Sequence, residues 1–406
     1  MKWKILAALA LAELLGLSLW FSASAVTPAL AAEWGLSAGA QAWLTMSVQI
    51  GFVCGALVSA LLNIPDLFNA RRVFAVSALC GAACNGAIPA WVDGPAGALI
   101  LRFFTGFFLA GVYPPGMKIV ATWFRKGRGL AIGTVVGALT IGSASPHLLK
   151  LLGSPDWRQL MYTATVAAAG AALICAAMVR DGPHAAAGAR FNWRYAGQVF
   201  GNRGVRLANF GYLGHQWELY AMWTWLPAFL LASFAASGLP AAESWAAAAA
   251  FACIGVGGAG CVIAGALADR YGRTTIAIVS MVASGICCLV VGPLFGMNPL
   301  LVTAACLVWG FAIIADSAQF SASVTELSDP EYLGTALTLQ VCVGFALTLL
   351  TIRLLPPLVE AVTWKWAFAP LALGPALGSW AMYRLRRSPA AARLGGEGVA
   401  GASEGS

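Results

Sequence analysis

Charge is what this chain has least of. Only 10% of its 406 residues are Asp, Glu, Lys or Arg, against 60% hydrophobic, where a soluble globular domain carries about 25% charged residues. The deficit runs along the whole chain, so no large water-facing surface can be built. A sizeable extramembrane catalytic or nucleic-acid-binding domain is thereby excluded. Histidine is nearly as scarce, with three residues, and His147, His184 and His215 stand far apart. The ten cysteines contain no C-x-x-C pair. Cys80 and Cys84 are one helical turn apart but lack a second pair or a nearby histidine, which favours apolar packing over a metal site. There is no G-x-x-x-x-G-K-S/T loop, so direct drive by ATP is not expected. Nor is there a nucleophile–base constellation that would make a membrane enzyme. No cofactor and no metal is called for.

What the chain does have is long apolar runs. A bilayer core about 30 Å thick is crossed by roughly 20 apolar residues in a helix. Runs of that length, divided by charge and turn clusters, predict twelve spans: 5–27, 41–62, 73–92, 96–121, 129–151, 158–179, 207–232, 245–267, 274–295, 299–322, 332–354 and 363–384. The fourth is interrupted by Pro114-Pro115 and should bend or end there. An even count puts both termini on one side. With the termini cytoplasmic, eighteen Lys and Arg fall in the inner segments and only Lys150, Arg158, Arg353 and Lys365 in the outer ones. That asymmetry follows the positive-inside rule, and it accounts for a net charge of +8 without a nucleic-acid partner. The expected setting is a bacterial-type inner (plasma) membrane, with the lipid bilayer as the main partner and a monomer as the oligomeric state. Met1-Lys-Trp-Lys and Ser22-Ala-Ser-Ala25 imitate a cleavable secretory signal, but Glu13 interrupts its apolar core. The segment is read as a retained first span.

A linker at 181–203, basic and holding Asp181-Gly-Pro-His, divides the spans into an N-terminal half, 1–180, and a C-terminal half, 204–385, with a disordered tail at 386–406. The halves repeat. Glu13-Leu14 before Trp20 matches Glu218-Leu219 before Trp225 at an offset of 205. Gly55-Ala-Leu matches Gly265-Ala-Leu at 210, Gly106-Phe107 matches Gly310-Phe311 at 204, and Gly129 matches Gly334 at 205. Matches in order at a near-constant offset indicate two parallel six-helix repeats.

Between spans eight and nine stands Gly265-Ala-Leu-Ala-Asp269-Arg270-Tyr-Gly272-Arg273. It resembles the G-x-L-x-D-R-x-G-R loop of the major facilitator superfamily of secondary transporters. Gly265 permits close helix contact, Gly272 a tight turn, and Asp269 with Arg270 and Arg273 a charge cluster at the cytoplasmic gate. A solvated basic loop that merely sets topology is the plainer reading, compatible with the first. The first-half counterpart departs from the pattern, its acid Asp66 coming late before Arg71 and Arg72. In span four Arg102-Phe-Phe-Thr-Gly106 is similar to the superfamily's R-x-x-x-G motif, which is tied in several members to proton coupling. The resemblance implies an all-α membrane fold of twelve helices and a transport class. It implies no substrate. General texture is also similar to bacterial nitrate/nitrite porter-like members, although spans two and eight lack the arginines those carry. Span five lacks the Gly-Pro of drug antiporters.

A charged side chain at a helix centre costs about 2.5–3.5 kcal/mol on insertion scales, so each one calls for a cavity, a partner or a function. Here they are Glu13 in span one, Arg102 and Lys118 in span four, His215 and Glu218 in span seven, and Asp316 in span ten. The resemblance implies that these four helices surround the central pathway. At about 100° per residue, Glu13 and Trp20 share a face of span one, Arg102 and Tyr113 a face of span four, and Asp316 and Gln319 a face of span ten. In span seven Tyr212 and Gln216 form one arc with Asn209, and His215 and Glu218 lie beside it. Either arc is a candidate to face the pathway. Burial favours the neutral form of a carboxyl group, so one of the three acids is expected to carry a proton, Glu218 or Glu13 first. Arg102 is expected to be its partner or an anchor for an anion, with Asp316 and Gln319 as substrate contacts. Inter-helix ion pairs that only fix packing are the competing reading.

The expected function is alternating-access transport of a small polar or charged solute, coupled to protons. An anion porter or efflux antiporter is the alternative, and a non-transporting membrane sensor the alternative of another class.

Overall fold

A computed structural model of the chain describes residues 1–62, 64–151, 156–184, 201–330 and 333–395. Most of the expected linker and the last residues of the tail, with Arg190 and Arg194, lie outside the described residues. The architecture is all-α. In chain order the helices are α1 (Lys2–Leu17), α2 (Ser22–Ala25), α3 (Thr27–Trp34), α4 (Ala38–Leu61), α5 (Ile64–Leu67), α6 (Ala70–Trp91), α7 (Pro95–Leu109), α8 (Tyr113–Trp123), α9 (Arg128–Leu151), α10 (Trp157–Met178), α11 (Arg203–Ala236), α12 (Ala242–Tyr271), α13 (Arg273–Val290), α14 (Pro299–Ala315), α15 (Ser317–Leu327), α16 (Leu333–Ala367) and α17 (Leu373–Arg386).

Twelve spans result. Ten helical stretches among the described residues are long and apolar enough to cross a membrane, α7–α8 and α14–α15 each counting as one. The other two are the first and last. The first span is broken: α1 stops at Leu17 and α2 begins at Ser22. The last helix is short because α16 consists of two helical segments meeting at Thr363, whose φ of 60° and ψ of 173° are not helical; the second segment runs to Ala367 and a 3-10 turn over Ala369–Ala372 follows. Span twelve therefore starts about ten residues later than its apolar run suggests. Pro114 and Pro115 sit in the first turn of α8, where a missing N–H is tolerated, so the break in span four precedes them at 110–112.

Close packing at glycines exposes the repeat. A Cβ on Gly106 of α7 would strike the carbonyl of Val48, and one on Gly310 of α14 the carbonyl of Cys253. Likewise Gly55 meets the carbonyl of Phe107, and Gly260 that of Phe311. Both pairs of helices thus touch backbone to backbone at equivalent points, the packing that small residues permit. The structural partner of Gly55 is Gly260, not Gly265, so the outlying offset of 210 becomes 205 like the others.

By proximity the chain forms two compact units. One comprises Met1–Arg125, Ala138–Asn192 and Glu331–Ala346; the other comprises Lys126–Gly137, Trp193–Pro330 and Leu347–Ser406. The start of α9 thus groups with the second unit and the start of α16 with the first. The expected tail is described as far as Gly395: a 3-10 turn spans Pro389–Arg393, and Leu394 is buried.

Candidate functional site

In the first unit the break in span one sets the geometry. Where α1 ends, the carbonyls of Leu19 and Trp20 have left the helical ladder, and buried carbonyls need donors. Arg102 of α7 supplies them. Its Nη1 donates to the carbonyl of Leu19 at 2.9 Å and to Ser22 Oγ at 3.3 Å, its Nη2 to the carbonyl of Trp20, and its Nε to the carbonyl of Leu44 at 3.5 Å. Ser22 in turn donates to Asn85 Oδ1 at 2.7 Å, and Asn85 Nδ2 donates to the Met161 carbonyl and Thr165 Oγ1, both at 3.0 Å. Arg102, Ser22 and Asn85 are fully buried. The rigid fork of a guanidinium suits this divergent set of acceptors. Among the described residues the hydrogen-bond partners of Arg102 are backbone carbonyls and a hydroxyl, with no carboxylate.

Glu13 is fully buried on α1, and neither carboxylate oxygen has a hydrogen-bond partner among the described residues. Its Oε1 lies over Gly116 of α8, where a Cβ would collide with it. Trp20 joins Phe52 and Phe345 in an aromatic cluster, with ring centroids 4.9 and 5.3 Å away. Tyr113 is buried at the start of α8, and Lys118 is half-buried on the same helix. Gln49 of α4, a neutral side chain that the search for charges in the spans does not reach, is buried with no partner for either amide atom among the described residues.

In the second unit the polar cluster gathers at the junction of α14 and α15. Asp316 separates α14 from α15, with φ −80° and ψ −22°, and its Oδ1 lies 2.8 Å from Nδ1 of His215 on α11; both side chains are fully buried. The rings of Tyr212 and Phe320 flank His215 at 6.0 and 5.7 Å. Gln216 Nε2 donates to the Tyr212 hydroxyl. Gln319 and Asn209 are buried with no side-chain partner among the described residues, and Nε2 of His215 also has none. Glu218 is set apart from this group. It turns to α13, where Ser284 Oγ donates to Oε1 at 2.6 Å and Cys288 Sγ to Oε2 at 3.1 Å, with Trp309 beside it. Span nine holds no charged residue in its middle, and a serine and a cysteine in an apolar helix give no sequence signal of an acid-binding role.

The loop motif forms a compact charge cluster, also within the second unit. Asp269 accepts from the N–H groups of Gly129 and Leu130 at 3.0 Å each, capping the first turn of α9 where the helix dipole favours an anion. Arg273 reaches Asp269 at 2.8 Å and Glu326 at 3.0 Å. Glu326, missed in the sequence, also accepts from the N–H of Gly395 at 2.9 Å. Gly265 is required by the close passage of the Gly129 carbonyl. Gly272 has φ 98°, a region that favours glycine. Arg270 is exposed and stacks on Tyr271. Of the first-half counterparts, Arg71 donates to the carbonyl of Val179 at 3.0 Å and Arg72 is exposed on α6. The side chain of Asp66 lies outside the described residues.

The family model of the major facilitator superfamily matches residues 9–352. The chain is a member of that superfamily. Two solved structures share the fold of this facilitator. The proton:xylose symporter XylE bound to 6-bromo-6-deoxy-D-glucose aligns with a TM-score of 0.76 at 14% identity, over 94% of this chain and 95% of that one. The nucleoside transporter NupG, in a mutant form, aligns with a TM-score of 0.65 at 17% identity, over 94% of this chain and 99% of the other. At such identities the likeness is one of fold. A search of the curated proteins finds no match. The facilitator is accordingly a multi-pass membrane protein of a transporter family, with a buried polar cluster in each unit.

Proposed function

We propose that this facilitator moves a small polar solute by alternating access between its two six-helix halves, 1–180 and 204–385, with proton coupling. Glu13 is the proton-carrying acid in this reading. The observation that carries it is the buried Glu13 carboxylate, bare of hydrogen-bond donors and facing a glycine. An acid in that position is disfavoured as an anion unless something binds it, which is what a reversible proton site needs. His215 and Asp316, paired at a helix break beside the unpartnered Gln319 and Asn209, serve as the substrate contacts.

The same chemistry indicates the class of solute. Unpartnered carboxylate and amide groups favour a neutral, hydroxylated or amine-bearing molecule, and the one fully buried guanidinium in the first unit is occupied by backbone carbonyls. This supports a polyol-like or cationic solute over a nitrate-type anion. The transport of xylose and of nucleosides by proteins of this fold agrees with it. The Asp269 cap on α9 serves as the cytoplasmic gate, to be released when the facilitator opens inward. Both termini are cytoplasmic and the membrane is the plasma membrane, as the arginine distribution supports.

Solute counterflow in proteoliposomes tests the proposal. Preloaded sugars, nucleosides or amines should drive accumulation of the labelled compound, and an imposed pH gradient should drive net uptake of one of them. A sensor would give neither.

A further inference from the structure

We propose that the recess between α11, α16 and α17 is a binding site for one anionic phospholipid, its acyl chain in the recess and its phosphate on Arg384. The site is independent of the transport reading. The recess, of about 390 Å³, is walled by apolar side chains of three spans within the second unit. It exists because α11 and α17 meet at glycines. A Cβ on Gly374 would strike the carbonyl of Gly214 and the side chain of Trp217, and one on Gly214 would strike Gly374 and Gly378. Backbones this close leave a furrow where side chains would otherwise stand.

The furrow lies on the lipid side. Phe210, Leu373, Leu377 and Trp380 are 49, 59, 67 and 56% exposed, and in a membrane-spanning segment such exposure means contact with acyl chains. Leu347 of α16 closes the third wall. One end of the furrow is basic. Leu373, Leu377 and Trp380 follow one stripe of α17, and the next position on it is Arg384, whose guanidinium carbon lies 5.3 Å from the Trp380 ring centroid. On α11, Phe210 is preceded one turn earlier by the exposed Arg206. The helices run antiparallel, Gly211 facing Met382 and Gly214 facing Gly378, so Arg206 and Arg384 mark the same end. An apolar furrow with two arginines at one mouth has the shape and charge of an anionic lipid: chain along the wall, phosphate at the guanidinium fork.

The full-length protein in mild detergent, studied by native mass spectrometry with phosphatidylglycerol and phosphatidylcholine of identical chains, tests the assignment. Wild type should retain one phosphatidylglycerol preferentially. R384Q should cut that preference by about fivefold and R384Q with R206Q further. R384K should largely restore it. L377W, which fills the recess, should lower retention of both lipids while the arginines remain. Equal retention of the two lipids by wild type, an unchanged preference in the double variant, or undiminished binding in L377W would overturn the proposal. So would displacement of the lipid by millimolar inorganic phosphate, which would show that the anion binds without the acyl chain, or a dimer whose recess takes up no lipid.

Discussion

Glu13 and Glu218 stand 205 residues apart, each in the first span of its half, and their carboxylates have opposite surroundings. Glu218 is held by a serine and a cysteine from span nine, whereas Glu13 lies over Gly116 of span four and has no hydrogen-bond partner among the described residues. Their own helices differ as well. Span seven is one continuous helix of 34 residues, while span one is interrupted four residues beyond Glu13. The repeat register explains both contrasts. At an offset of 205, the positions of Ser284 and Cys288 correspond to Leu79 and Ala83, which cannot donate. Arg102 stands four residues before Gly106 as Cys306 stands four before Gly310, so its counterpart is Cys306, in a half whose first span is one continuous helix without the break that Arg102 serves. Duplication supplied two acids; neighbouring helices decided that one would be bonded and one left bare.

The sharpest way to break this comparison is at Arg102. Replacing it with Leu removes the guanidinium donors to the carbonyls of Leu19, Trp20 and Leu44 and to Ser22 in a buried site. Each buried acceptor left without its donor costs about 1–3 kcal/mol. R102L should therefore extract poorly and melt far below wild type in detergent, with R102K between them because an ammonium cannot reach all acceptors at once. An R102L protein as stable as wild type would mean that the break in span one holds itself.

The two acids provide the next test. E13Q should abolish the pH dependence of uptake in proteoliposomes, with a loss of about tenfold or more under a pH gradient, in the range of removing a group used in proton transfer. E218Q should keep that dependence and instead lose roughly 1 kcal/mol of stability from its altered bonds to Ser284 and Cys288. The reverse pattern would assign the proton to span seven.

Much of this contrast could not be read in advance, for physical reasons. The bilayer imposes a length and a polarity on every span, so the twelve helices, the repeat and the four charged spans are plain in the sequence. Helical phase places Glu218 and His215 on neighbouring faces of span seven but does not say which neighbour each face meets; that depends on Ser284 and Cys288, polar residues too common in apolar helices to signal an acid. The break in span one falls at Ser18-Leu-Trp-Phe21, without glycine or proline to announce it, and the arginine that satisfies it lies some eighty residues away. The Gly55–Gly265 match arose from a recurring Gly-Ala-Leu in an alanine-rich chain, and only packing shows Gly260 to be the true counterpart. Asp269 was readable because its motif carries its own chemistry, yet Glu326 lies outside that motif.

Asp269 of the loop motif gives a further contrast between the halves. Its place in the first half, at the same offset, is Ile64, so the carboxylate cap on a helix N-terminus is a feature of the second half's loop. D269N keeps the shape while removing the charge that faces the first turn of α9 and Arg273. It should cost about 0.5–2 kcal/mol of stability, the range for a lost helix cap, and favour the open gate. Faster cysteine labelling at a position introduced beside Gly129 would report that opening, and unchanged labelling would show that Asp269 does not hold the gate.

The smallest effect is expected at Glu33 of α3. Glu33 accepts from Arg158 at 2.8 and 3.3 Å and from the Trp157 indole at 2.6 Å, whereas its repeat counterpart is Gly238. The hydrogen bonds from Arg158, and then that from Trp157, hold the Glu33 carboxyl below the usual carboxylate range. Because the folded group binds its proton less readily than the unfolded one, the contribution to stability is complete above the unfolded pKa. It is lost as pH falls through the lowered folded value. The pair is more than a third exposed on both sides, so water and salt screen it and the effect should be slight. Melting curves of wild type and E33Q should differ a little at neutral pH and converge in acid, and added salt should close the neutral gap. A gap that persists in acid would mean that Glu33 acts through packing against Trp157 rather than through its charge.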